Sequence, residues 1–126
     1  MAMKKINPRL DLTNNFAEAE AAAPNAPIIC LTSDNDVASM LEVFDFVNGR
    51  PTFMDSPLVK ASKAGTTVIV DIDIMSDPLL RKLIWWTRAN KRFDLPTEIT
   101  GFDKARRIPV RDGFRVIAVS EKYATL

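Results

Sequence analysis

The residues best suited to chemistry are two aspartates, Asp71 and Asp73, which come directly after the apolar run 68–70. An unbroken β-branched run of this kind is typical of a strand that is covered on both faces. In open α/β sheets, ligands bind outside the carboxyl ends of the strands. The spacing therefore predicts a central strand over 66–72, with both carboxylates where a metal ion or a reacting group would be held.

The composition restricts what those carboxylates can do. The chain has no histidine, which excludes histidine bases and serine–histidine triads. Its one cysteine, Cys30, cannot form a disulfide within the chain and lies in an apolar run, where we expect a core residue. This composition favours a reducing cytoplasm and predicts no zinc site. We therefore expect no metal ion and no cofactor.

Segment lengths exclude a membrane-spanning role, because the apolar runs are much shorter than the roughly 20 residues that cross a bilayer. Lys4 and Lys5 are not followed by an apolar stretch, so we expect no secretory signal. A length of 126 residues is typical of one domain. We expect an N-terminal arm over 1–26, disordered or tied down on a neighbour, and a folded domain over 27–126.

The order of apolar runs and breakers predicts an α/β fold. We expect a three-layer, mostly parallel sheet with a small hairpin insertion. The predicted strands are 28–31, an edge strand 51–54, the central strand 66–72, a hairpin of 95–100 with 106–110, and a last strand 114–119. The predicted helices are about 37–47, a helix between the cap Ser56 and Gly65, and a helix capped by Asp77.

The third helix contains two adjacent tryptophans, Trp85 and Trp86, which cannot both point into one core. We expect one of them to be exposed or at an interface. Charge is also unevenly distributed: residues 1–80 carry 6 Lys/Arg and 11 Asp/Glu, whereas residues 81–126 carry 11 and 5. This pattern predicts an interaction surface that contains Trp85, Trp86, Arg81, Arg88, Arg92 and Arg107. A solvated face, or a nucleic-acid surface on which Trp85 stacks, remains an alternative.

Three segments, in this order, resemble the core of AAA+ ATPases of the MoxR and CobS-like branch. The first runs from Gly49 through Phe53 and the Ser-Pro-Leu of 56–58 to Gly65. The second is the strand that ends at Asp71, with Pro78 following, and it resembles the Walker B segment. The third, 114–121, resembles the sensor 1 strand.

The residues that perform ATP chemistry in that family are replaced here. The resemblance places the P-loop after the first strand, where Thr32 and Val37 stand in place of glycines, Ala38 replaces the lysine and Ser39 alone remains. Asp71 matches the metal-binding aspartate of Walker B, but Ile72 occupies the position of the catalytic glutamate. Val119 and Glu121 stand where sensor 1 has threonine and asparagine. Together these changes predict a degenerate nucleotide site.

A second resemblance is weaker. Aspartates two residues apart after an apolar strand also begin the haloacid-dehalogenase phosphatases, but here too few residues follow to complete that fold. We therefore expect a non-catalytic interaction or assembly protein, bound to a protein partner or to itself, and of a size that suits a bacterial virus or mobile element. The alternatives are an ATPase-like enzyme and a nucleic-acid-binding accessory protein.

Overall fold

The described residues form nine strands and three helices. The computed structural model describes residues 3–30, 42–71, 77–95 and 106–120. In chain order the elements are β1 (Lys4–Asn7), β2 (Leu10–Thr13), α1 (Phe16–Ala22), β3 (Ile28–Cys30), β4 (Glu42–Val47), β5 (Arg50–Asp55), α2 (Pro57–Ala64), β6 (Thr67–Asp71), α3 (Asp77–Arg88), β7 (Arg92–Leu95), β8 (Arg106–Pro109) and β9 (Arg115–Val119).

A five-stranded sheet in the order β1-β2-β9-β6-β3 forms the centre of the fold. Four neighbouring strands, β2, β9, β6 and β3, are parallel to one another, and β1 at one edge is antiparallel to β2. The register aligns Val68 of β6 with Val116 of β9, and Val116 with Leu10 of β2. The predicted α/β class and mostly parallel sheet are confirmed.

The two faces of the sheet are covered differently. One face, here called the α2/α3 face, carries Val68, Val70 and Val116 and packs against both helices and the β7–β8 hairpin. The opposite face, here called the α1 face, carries Ile69 and Ile117 under α1. Since both faces are covered, the central strands are apolar throughout, and all five of these side chains are at most 1% exposed. This confirms the burial expected of the apolar runs.

The N-terminal segment is part of this fold, and the expectation of a separate arm over 1–26 is wrong for residues 4–22. Leu10 and Leu12 of β2 are 1% and 3% exposed and belong to the main core. Arg115 of β9 donates through Nε to Asp11 Oδ2 at 2.8 Å, which links the segment to the far end of the chain. Two four-residue strands separated by a turn at Pro8 offer little periodicity, so the sequence alone did not reveal them.

The helix expected over about 37–47 is wrong for residues 42–47, which form β4. This strand pairs with β5 in an antiparallel hairpin, so the edge strand expected over 51–54 is confirmed. The turn between them is Asn48-Gly49, with φ of 54° and 75°. Positive φ at both turn residues is the two-residue hairpin geometry that Asn-Gly prefers. Asn48-Gly49 therefore joins two strands and does not follow a helix; residues 31–41 lie outside the described part of the chain.

Helix α2 begins and ends as predicted. The side chain of Ser56 accepts a hydrogen bond from the Val59 amide, Pro57 occupies the first helical position, and Gly65 ends the helix at φ 73°. Leu58, Val59 and Ala61 are buried against the sheet. The predicted cap therefore positions α2 directly before the central strand β6.

The C-terminal half follows the prediction with one shift. Strand β7 ends at Leu95, the first residue of the strand expected over 95–100, and pairs antiparallel with β8; residues 96–100 of that prediction lie outside the described part of the chain. Phe93 of β7 and Ile108 of β8 are buried and directly opposed, so the hairpin extends the core on the α2/α3 face. The last strand lies between β2 and β6, as its apolar composition indicated.

Candidate functional site

The topology identifies one point of the sheet where ligands bind in other α/β folds. After β2 the chain crosses the α1 face and reaches β3 at the far edge. It then returns by way of the α2/α3 face to β6 and finally to β9. The connection that leaves β2 and the connections that lead back to β9 therefore run in opposite directions along the sheet and on opposite faces. A crevice outside the carboxyl ends of strands at such a point is the usual ligand position.

Thr13 and Ser120 lie at this switch point, the place where β2 and β9 end side by side. The Ser120 amide donates to the Thr13 carbonyl at 3.0 Å, and both residues are buried. Thr13 Oγ1 donates to Glu18 Oε2 at 3.0 Å and accepts from the Asn15 amide at 3.1 Å. Ser120 Oγ is the one buried side-chain oxygen or nitrogen without a hydrogen-bond partner among the described residues.

The loop after β2 does not provide a phosphate cradle. Residues 13–17 contain no glycine and no lysine, whereas a P-loop uses both to hold phosphates. The side chain of Asn15 accepts a hydrogen bond from the Ala17 amide at 2.9 Å, so one donor at the start of α1 is already occupied. Glu18 adds a carboxylate in the first turn, which disfavours an anion there.

Asp71 lies at the end of β6, the strand next to β9. It is half-buried, aligned with Val119 of β9 on one side and with Cys30 of β3 on the other. The expectation of a core position for Cys30 is wrong. Cys30 is exposed, because β3 is the edge strand of the described sheet. Val119 of β9 lies between Asp71 and Thr13 in the register of the sheet, so the two residues are not neighbours.

Most of the predicted nucleotide-site residues cannot be placed. Thr32, Val37, Ala38, Ser39, Ile72, Asp73 and Glu121 lie outside the described ranges. Within those ranges, no group of three or more histidine, cysteine, aspartate or glutamate side chains could hold a metal ion.

The adjacent tryptophans point in opposite directions, as the sequence predicted. Trp86 is 3% exposed and its ring lies 6.1 Å from that of Phe93. Trp85 is 60% exposed. The side of α3 that carries Trp86 is held against β1 and β2, where Asn7 Nδ2 donates to Thr87 Oγ1 at 2.8 Å. This packing fixes α3 so that Trp85 faces outward.

A surface cleft of about 310 Å³ lies beside Trp85, and we call it the Trp85 cleft. Trp85, Arg88, Ala89, Arg92 and Phe93 line it. Arg88 and Arg92 are exposed, and neither is in an ion pair within the described residues. The cleft therefore combines an apolar wall with two guanidinium groups that form no ion pair with another described residue, a combination suited to a partner that carries carboxylate or phosphate.

The other predicted surface residues take different places. Arg81 is exposed and lies one turn before Trp85 on α3, which adds a third positive charge on that side of the helix. Arg107 is exposed on β8 but does not line the cleft; it is aligned with Asp94 across the hairpin. The structure thus brings together Trp85, Arg88 and Arg92, places Arg81 nearby, and separates Trp86 and Arg107 from them.

A second cleft was not foreseen from the sequence. It measures about 370 Å³, lies between the end of α1 and the edge strand β3, and is lined in part by Glu20, Ala23, Pro24 and Ile28. Ile28 is 44% exposed there. The only signal in the sequence is the Ala-rich stretch before Pro24, which we assigned to the arm, so no local pattern identified this surface.

Comparison with known proteins adds no assignment to this geometry. A scan against protein-family models finds no matching family, and a search of curated proteins finds no significant match. No helix within the described ranges is long and apolar enough to cross a membrane.

Proposed function

We propose that this chain is a non-catalytic interaction domain, built on a trimmed and degenerate AAA+-like core, that binds a protein partner or another copy of itself through the Trp85 cleft. The observation that carries the proposal is the exposure of Trp85 beside two exposed arginines, Arg88 and Arg92, that line the same cleft. Tryptophan and arginine are the residue types most enriched at binding hot spots. Single exposed apolar residues are ordinary, but here the exposed ring lines a cleft together with two arginines, which is the residue combination of an interface anchor.

The rigidity of its support favours a binding role for this surface. Trp85 is on the same helix as the buried Leu83 and Trp86, and Arg9 Nη1 donates to the Ala89 carbonyl at 3.0 Å at the end of that helix. A side chain held on a packed helix loses little conformational freedom when a partner covers it. Truncation of such an anchor typically weakens binding by about 2 kcal/mol or more.

The replacement of the residues that AAA+ ATPases use to bind and hydrolyse ATP supports the non-catalytic part of the proposal. The sequence has Ala38 where a P-loop has lysine and Ile72 where Walker B has its catalytic glutamate. The loop at the switch point of the sheet also lacks glycine and lysine. Titration calorimetry with Mg-ATP at millimolar concentration is expected to give no saturable heat, and Asp71→Ala should leave that result unchanged. A saturable heat that Asp71→Ala abolishes would favour the ATPase-like alternative.

Site-specific crosslinking tests the binding surface directly. A photo-reactive amino acid placed at position 85, in cells that express the chain, is expected to form a discrete crosslinked product. The same group at the exposed Lys60 on α2 should not, because that position lies outside the cleft. Arg88→Glu in the position-85 variant should reduce the product. Equal crosslinking from positions 85 and 60 would contradict a specific surface.

One observation favours single-stranded nucleic acid as a second candidate partner. Arg81, Trp85 and Arg88 recur at i, i+4 and i+7 of α3, so the two guanidinium groups flank the ring over roughly 10 Å of helix. A base can stack on an exposed aromatic ring while arginines bind the flanking phosphates. Titration with short oligonucleotides would then quench Trp85 fluorescence, with an affinity that falls steeply as salt rises. No quenching at low salt would remove this candidate.

A further inference from the structure

The two exposed large apolar side chains of the described residues lie on opposite sides of the molecule. Ile28 is on β3, one edge of the sheet, and its alignment with Ile69 places it on the α1 face. Trp85 is on α3, which packs over β1 and β2 at the other edge, on the α2/α3 face. The two side chains therefore cannot cover each other within one chain.

The cleft at Ile28, here called the Ile28 cleft, has the properties of a receptor for an apolar side chain. Its wall is formed by Ala23, Pro24, Ala26 and Ile28, with Ile69 at its base. Ile69 is 1% exposed and belongs to the core under α1, so the base of the cleft is continuous with packed protein. A volume of about 370 Å³ is at the small end of the range for ligand pockets and is sufficient for one large side chain.

The charges at the two clefts are opposite. Glu20 lies on the rim of the Ile28 cleft and is exposed. Arg88 and Arg92 line the Trp85 cleft, and neither is paired within the described part of the chain. A contact that brings Trp85 to Ile28 would bring one of these guanidinium groups towards the Glu20 carboxylate. Opposite charges around an apolar contact select the correct partner and orientation.

From this complementarity we infer that the occupant of the Ile28 cleft is Trp85 of a second copy of the chain. The inference rests on the proposed function and names the partner of the same surface. Because the two clefts lie on different edges and faces of the sheet, the contact is heterologous: each copy uses its Trp85 on one neighbour and its Ile28 cleft on the other. Such contacts join copies head to tail, as a ring or an open filament.

Mixing two variants tests this arrangement. Trp85→Ala removes the inserted side chain but leaves the Ile28 cleft, and Ile28→Asp blocks the cleft but leaves Trp85. Sedimentation velocity at rising concentration should show association of the unmodified chain and a monomer for each variant alone, with association at least about 30-fold weaker. An equimolar mixture should form a one-to-one dimer and nothing larger, because only one intact pair of surfaces remains.

A charge-reversal pair keeps the test independent of the apolar substitutions. Arg88→Glu and Glu20→Arg are both at exposed positions, so each should leave the fold intact, which circular dichroism checks. Each alone should weaken association several-fold, and the two combined in one chain should restore it. Lys60→Ala on the exposed side of α2 is the matched control and should change nothing.

Several outcomes would overturn the inference. If Ile28→Asp still associates while Trp85→Ala does not, Trp85 contacts another surface. If the mixture stays monomeric although the unmodified chain associates, the two clefts are not complementary. If the unmodified chain is a monomer at every concentration, self-association is refuted; a crosslink from position 85 to a different protein would then leave the proposed interaction function standing.

Discussion

Gly65 is the position where the smallest change should cost the most stability. It ends α2 with φ of 73°, and a Cβ at this position would lie 2.3 Å from the carbonyl oxygen of Asp112. The backbone around that oxygen is held in place, because the Arg111 amide donates to the Ser62 carbonyl at 3.0 Å and the Arg115 amide to the Thr66 carbonyl at 3.1 Å. Gly65→Ala must therefore move main chain, and a side-chain rotation cannot relieve the contact.

The magnitude follows from two separate costs. An L-residue in the left-handed region costs roughly 1–2 kcal/mol relative to glycine. An added group that forces a packed backbone to shift typically costs a further 1–3 kcal/mol. We therefore expect Gly65→Ala to reduce the free energy of unfolding by about 2–5 kcal/mol, a large part of the roughly 5–15 kcal/mol of a typical domain.

Gly49 provides a matched control for the cost of placing an L-residue in the left-handed backbone conformation. Its φ is 75°, close to that of Gly65, but a Cβ there would meet no atom within 4 Å. Gly49→Ala should therefore cost only the roughly 1–2 kcal/mol of the left-handed conformation. The difference between the two substitutions isolates the contact with the Asp112 oxygen.

Urea unfolding followed by far-UV circular dichroism measures both variants. With a slope of about 1–3 kcal/mol per M, the two midpoints should differ by roughly 1 M, with Gly65→Ala the lower. The slopes should agree with that of the unmodified chain. Equal losses for Gly65→Ala and Gly49→Ala would refute the argument, since the close approach of the 111–114 turn to α2 would then carry no cost.

Four further substitutions test other parts of the fold. Ile69→Ala, at the centre of β6, should lower the free energy of unfolding by about 2–5 kcal/mol, because the Ile69 side chain is only 1% exposed. Urea unfolding measures this loss, and a loss below about 1 kcal/mol would contradict a core position for Ile69. In the same assay, Trp86→Ala should lower the free energy of unfolding by about 3–5 kcal/mol, and Trp85→Ala should lower it by less than about 1 kcal/mol. Comparable losses for the two variants would contradict the opposite orientations of the two side chains. Ser120→Ala should raise the free energy of unfolding by about 1 kcal/mol, because it removes a buried hydroxyl that has no hydrogen-bond partner among the described residues. A clear loss of stability would reveal a hydrogen bond at the switch point.

Local sequence signals predicted the elements that depend on local chemistry. The Ser56 cap, Pro57 and Gly65 predicted α2, since a helix end is decided by hydrogen bonds and backbone angles within a few residues. Local signals were misleading for 42–47, where the expected helix is replaced by β4, which turns at Asn48-Gly49 into β5. The apolar residues of 42–47 are compatible with either structure over so short a run, and only their pairing with 50–55 distinguishes them.

The sequence by itself determined that the central strands are β-branched and buried, that α2 has defined ends, and that one tryptophan of the adjacent pair must leave the core. Only the tertiary structure decided that β2 enters the sheet beside β9. In that pair, Leu10 is aligned with Val116, which lies near the other end of the sequence, and no local pattern encodes a pairing between residues so far apart. The tertiary structure also decided which tryptophan is exposed, since Asn7 and Thr87 bind β1 to one side of α3. Strand order and helix rotation depend on contacts between distant segments, and those contacts place the Trp85 cleft and the Ile28 cleft on opposite edges of the sheet.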